Sequence, residues 1–187
     1  MENFISSIKE KFSVFDKQFA ETQEILKLQA EIKQKEREEL LMKLRAQKNF
    51  FNQTIIPEFR TFLAPLQALF LERNLEIKMQ SHKSKNSMFL CHNGDSPFLT
   101  LFVGNRAYML RDRYDYEPFL MLKGDYQNNF IRLYECNPDR RHISYVEQNY
   151  INEPAAVAFH TEQYNLKALF PCIDAWIEKQ LQYHAKH

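Results

Sequence analysis

Apolar and polar residues follow two different rhythms along this chain. From about Glu2 to Gln53 the rhythm is helical. Ile5, Ile8, Phe12, Phe15 and Phe19 are separated by alternating steps of three and four, which sets them in one row, as at the a and d positions of two heptads. The stretch contains no Gly or Pro and is rich in Glu, Lys, Gln, Leu and Ala, all good helix formers. After Phe19 the row breaks, and Ile25, Leu28 and Ile32 resume it in a shifted frame. Between Glu31 and Glu39 only Ile32 is apolar, and Glu31–Lys35, Lys35–Glu39 and Glu39–Lys43 are spaced as i,i+4 pairs that support a solvated helix. A helix that polar on all sides has no place in a core. Leu40, Leu41, Leu44, Phe50 and Phe51 form a second apolar end. One helix of this length would reach roughly 75 Å at about 1.5 Å per residue. The arm is therefore expected to project, to fold back as a helical hairpin, or to pair with another chain as a coiled coil.

A second helix is expected over 55–73. Thr54 to Pro57 supplies start signals, and Ile55, Ile56, Phe59, Phe62, Leu63, Leu66, Leu69 and Phe70 give a broad apolar face. Pro65 lies within it and predicts a kink. From Leu75 the period drops to two: apolar and polar residues alternate through Gln80, as in a half-buried strand. Further strand-like stretches are 88–92, 98–103, 107–111, 119–123, 126–135 and 143–150. Phe98 to Val103 is apolar on both faces and is expected at the centre of a sheet. Gly94, Gly104 and Gly124 each fall where a turn between strands is expected. Residues 155–159 carry no clear pattern. A last helix, about 165–183, buries Leu169, Cys172, Ile173, Trp176, Ile177 and Leu181, with Trp176 as its anchor.

These elements predict an α+β fold: a long N-terminal helical arm, then a six- to seven-stranded, mainly antiparallel meander sheet (strands over about 75–150) closed by a C-terminal helix. The expected division is an arm over 1–53 and an α+β domain over 54–187.

Composition narrows the function classes. The net charge is +1, with 12 Lys and Arg against 11 Asp and Glu in residues 1–74 and 13 against 13 in the remainder. No global field marks a nucleic-acid or membrane-surface protein. No run of 18 apolar residues suggests a membrane span, and the first ten residues lack a signal-peptide pattern. Three isolated cysteines, Cys91, Cys136 and Cys172, fit reduced thiols in a cytoplasmic protein.

Chemical signatures are sparse. With all three glycines assigned to turns, none remains for a phosphate-binding loop, and Walker A and Rossmann fingerprints are absent. So are the Gly-x-Ser-x-Gly elbow and the His-Glu-x-x-His zinc motif. Cys91 and His92 are adjacent and would point to opposite faces of a strand, so no metal site is expected from them or from Cys136 and His142. Cys136 as a nucleophile beside His142 is outweighed by the ordinary role of a lone cysteine as a small buried hydrophobe. His184 and His187 sit at a chain end. No cofactor is expected.

Three basic loops are candidates for anion or nucleic-acid binding: Lys83 and Lys85 in the first; Arg111, Arg113 and Tyr114 in the second; Arg140 and Arg141 in the third. Asp112, Asp115, Glu117 and Asp139 interleave with them, which favours solvated turns over a basic surface. The N-terminal row is the stronger signal. Its residues are too few for a core of their own, and pairing between chains is favoured over folding back within one. The expected function is thus a non-enzymatic interaction or adaptor protein that self-associates through Ile5, Ile8, Phe12, Phe15 and Phe19. A nucleic-acid-associated protein using loops 81–87, 106–116 and 137–142 is the alternative. A small enzyme or ligand binder with a pocket between sheet and last helix is the third.

Overall fold

The computed structural model describes residues 2–83, 96–106, 118–136 and 155–186. The chain divides into two compact units, Met1–Met42 and Lys43–His187.

The first unit is helical and holds most of α1 (Glu2–Phe50). With no Gly or Pro to interrupt it, backbone propensity carries the helix through. Local side-chain bonds add to this: the Thr22 hydroxyl donates to Gln18 O at 2.8 Å, and the Gln34 amide donates to Glu38 Oε1 at 2.6 Å.

The second unit begins with the last turns of α1, where Leu44 and Gln47 become buried. A π-helical stretch, Phe51–Ile55, follows, with the Ile56 N–H donating to Phe51 O. α2 (Ile56–Leu71) begins directly after it with Pro57 in its first turn. So the start signals around Thr54–Pro57 mark a change of helix type without an intervening loop. Proline has no N–H to donate and its ring crowds the carbonyl four residues back. The wider π turn just before Pro57 relieves both demands. α2 ends in the turn 72–74, where Asn74 takes φ 57° and its N–H donates to Leu71 O at 3.1 Å.

Five strands form one antiparallel sheet in simple meander order: β1 (Leu75–Ser81), β2 (Phe98–Asn105), β3 (Phe119–Asp125), β4 (Phe130–Cys136) and β5 (Val157–His160). Register aligns Ile77 with Val103, Leu101 with Leu120, Leu122 with Leu133 and Ile131 with Phe159. A 3₁₀ turn, Thr161–Gln163, leads into α3 (Leu166–Lys186). Asn165 caps α3: its side-chain oxygen accepts the Lys167 N–H at 3.0 Å, the bond a helix N-terminus needs.

One sheet face supplies Ile77, Leu99, Leu101, Val103, Leu120, Leu122, Ile131 and Leu133 to a core shared with Phe51, Ile55, Phe59 and Leu63 from the helical segment. Leu169, Ile173 and Trp176 of α3 complete it. The opposite face is also closed to solvent at Phe98, Thr100, Phe102, Phe119 and Met121, so β2 and β3 are central strands.

Three expectations are corrected. The sheet has five strands among the described residues rather than six or seven. The stretches 88–92, 107–111 and 143–150 lie outside those residues, and the patternless 155–159 contributes the edge strand β5. Gly104 stays within β2 opposite Glu76, and Gly124 within β3 opposite Ile131. The hairpin after β3 instead turns at 126–129, where Asn129 takes φ 57° and Asp125 accepts the Asn128 N–H at 3.2 Å. Gly124 is small for another reason: a Cβ there would meet the Gln47 side-chain oxygen and lie 2.8 Å from Pro97 Cγ. Third, Leu181 is exposed rather than buried, as is Leu69 of the broad α2 face; helical geometry sets each on the side of its helix away from the buried Leu63 or Trp176.

Candidate functional site

On α1 the predicted row is present as a row and is open to solvent. Phe12 is 62 %, Phe15 59 % and Phe19 55 % exposed. Ile5 is exposed and Ile8 half-buried. Phe4 and Leu26 extend the row at both ends, also exposed. Helical geometry puts all of these on one side. The Phe15 and Phe19 rings stack with centroids 6.1 Å apart, as expected for aromatic residues one turn apart. Lys9, Lys11 and Asp16 flank the row and are exposed. The shifted group Ile25, Leu28 and Ile32 is exposed too, about 140° further round the helix at about 100° per residue.

A second apolar surface, which the sequence reading did not single out, lies on the outer side of α2 and α3. The Phe62 and Phe170 rings stack at 5.1 Å and 20°. Leu69, two turns along α2, is 50 % exposed; Phe170 and Leu181 on α3 are each 39 % exposed. Glu58 precedes Phe62 by one turn and Asp174 follows Phe170 by one turn; both are exposed, as is Glu178. Burial raises the Tyr164 hydroxyl pKa above its ordinary value, and the negative charge of neighbouring Glu58 raises it further.

Polar groups within the second unit serve the fold. Gln47 donates from Nε2 to Phe130 O at 2.9 Å and lies 3.4 Å from Thr161 Oγ1. It thus ties the end of α1 to the start of β4 and to the residue that follows β5. Asp125 holds Arg132 at 3.0 Å. Burial pushes its carboxyl pKa up, but hydrogen bonds from Asn128 and Arg132 outweigh this and leave it below the ordinary value. The His82 ring sits edge-on to Phe51 and Phe98, each with centroids 6.3 Å away, and its Nδ1 is 3.3 Å from Phe98 O. Burial lowers its pKa below 6.5, the Phe98 carbonyl opposes this, and Lys48 and Lys83 reinforce it. His184 Nε2 lies 3.0 Å from Val103 O.

Of the basic-loop candidates, Lys83 is described and exposed, with its backbone N–H donating to Ser81 Oγ at 3.3 Å. Lys85, Arg111, Arg113, Tyr114, Arg140 and Arg141 lie outside the described residues, as do Cys91, His92, His142 and His187. Cys172 is a free, half-buried thiol. Among the described residues no group of three His, Cys, Asp or Glu side chains could hold a metal ion, and no helix is long and apolar enough to cross a membrane. The space between the sheet and α3 is filled by Leu169, Ile173 and Trp176 packed on the sheet residues.

No family model matches the chain, and no curated protein and no solved structure is significantly similar to it. The surfaces themselves are what a functional reading has to rest on.

Proposed function

We propose that this protein is a non-enzymatic interaction protein that self-associates through its N-terminal helix, the contact being made by Ile5, Ile8, Phe12, Phe15 and Phe19. The observation that carries this reading is the exposure of three Phe rings of one helical row. At roughly 200 Å² per ring, Phe4, Phe12, Phe15 and Phe19 leave on the order of 500 Å² of aromatic surface in water on each chain. Covering the row on both chains of a dimer removes about the 1,000 Å² from which specific interfaces start. Water penalises that exposure by about 25 cal/mol per Å² of apolar area, and burial against a second copy removes the penalty without disturbing the helix.

Light scattering coupled to size-exclusion chromatography tests the reading. At tens of micromolar the chain is expected well above its 22.5 kDa monomer mass. Phe12→Glu with Phe15→Glu is expected to return it to the monomer mass with unchanged helical content. A wild-type chain that runs as a monomer sinks the proposal.

A further inference from the structure

We infer that the apolar row of one chain docks on the Phe62–Phe170 surface of a second copy, rather than on the second copy's own row. This rests on the self-association proposed above and names the surface that receives the helix.

Among the described residues, the row on α1 and the Phe62–Phe170 surface are apolar surfaces that carry exposed aromatic rings, and they differ in charge. The row on α1 is bordered by Lys9 and Lys11, with Asp16 the one acidic residue between Glu10 and Phe19. The Phe62–Phe170 surface is bordered by Glu58 on α2 and by Asp174 and Glu178 on α3, with Glu72 beyond Leu69. Its basic neighbours are Lys167 and Arg73. Arg73 is engaged locally, donating to Leu69 O at 2.8 Å and standing 3.6 Å from Glu72.

Helix on helix-pair docking brings a basic rim onto an acidic one, which is the arrangement that gives register and specificity. Row against row sets Lys9 and Lys11 of both chains in the same interface, with one Asp16 per chain to answer them. The Phe62–Phe170 stack also offers what a single row lacks: an apolar surface built from two helices, on which an amphipathic helix can lay apolar residues at i, i+3, i+4 and i+7. In a two-fold assembly each copy gives one helix and receives one. Each such contact covers one apolar row and one Phe62–Phe170 surface.

Charge reversal separates the two arrangements. Glu58→Lys, Asp174→Lys and Glu178→Lys together are expected to raise the dimer dissociation constant at least about tenfold, as like charges meet across the interface. All three positions are exposed, and circular dichroism should show the fold unchanged. Adding Lys9→Glu and Lys11→Glu to the same chain is expected to restore the dimer. An unchanged mass for the triple variant, with Phe12→Glu still dissociating the protein, overturns the docking site and leaves self-association standing. Dissociation that the added Lys→Glu changes fail to reverse overturns it as well. A monomeric wild type removes both proposals.

Discussion

Residues 1–42 and 43–187 contain the same kinds of large apolar side chain and use them in opposite ways. In the second unit Phe51, Phe59, Phe98, Phe102 and Phe119 are removed from water. In the first unit Phe4, Phe12, Phe15 and Phe19 stay in it. The difference lies in what surrounds each ring. A helix followed by a sheet offers Phe59 partners on several sides, whereas a row on one helix has only its i±3 and i±4 neighbours. An aromatic residue therefore reports stability in one unit and association in the other.

The sharpest way to break this comparison is a pair of truncations. Phe59→Ala is expected to cost about 3–5 kcal/mol, the usual range for a buried Phe. Phe12→Ala is expected to change unfolding by less than about 0.5 kcal/mol, as for other surface changes, when protein concentration is kept low enough to exclude association. Urea unfolding followed by fluorescence of Trp176, the single tryptophan and a core residue, measures the first and separates it from the second. Equal costs would show that the row is part of a folded core.

Next in size is the contact between Gln47 and Gly124. Gly124→Ala drives a methyl group into Gln47 and Pro97 and is expected to cost about 1–3 kcal/mol by overpacking. Gln47→Ala removes the side-chain donor to Phe130 O and to Thr161, for about 1–3 kcal/mol. Because the two share one space, the double variant should lose less than the two single costs added together. Additive costs in the same unfolding assay would mean the side chains do not compete.

The smallest effect is a pH dependence in the second unit. His82 has its pKa lowered in the folded protein, mainly by burial. Below pH 6.5 the unfolded chain therefore binds more protons than the folded one, and stability falls as pH drops from 6.5 towards the lowered folded value. Above 6.5 the contribution is whole. His82→Phe is expected to flatten this part of the stability profile, and an unaltered slope would assign it to other groups.

Much of this was legible along the chain. The arm announced itself through fifty residues without Gly or Pro, and β1, β2 and β3 through their period or their apolar run. Trp176 anchors α3 as its spacing implied. What escaped local reading was decided by distant contacts. Gly124 looks like a turn residue until Gln47, 77 positions earlier, is seen to occupy the space where a side chain would go. Asn129 carried the turn instead. β5 alternates in burial over only four residues, Val157 and Phe159 turning inward, too short a run to read locally, and its pairing with β4 is supplied by the sheet. The Phe62–Phe170 surface escaped because Phe62 sat within a broad apolar face of α2 and Phe170 outside the predicted stripe of α3, and only the packing of the two helices brings their rings together.

The π-helical stretch at Phe51–Ile55 sets the rotational phase of everything that follows it in the helical segment. It spends an extra residue on one turn, and Phe51, Ile55 and Phe59 all end up in the core shared with the sheet. Tightening that turn to an ordinary α-turn with every residue kept would swing α2 by about 100°. Phe59 and Leu63 would then leave the core while Glu58 and Phe62 turned towards it. Deleting one residue there, such as Asn52, removes the surplus and lets an α-turn form with both flanking faces still in phase, so a single loss is absorbed at this coil while a gain elsewhere in the helical segment would turn one face away from the other.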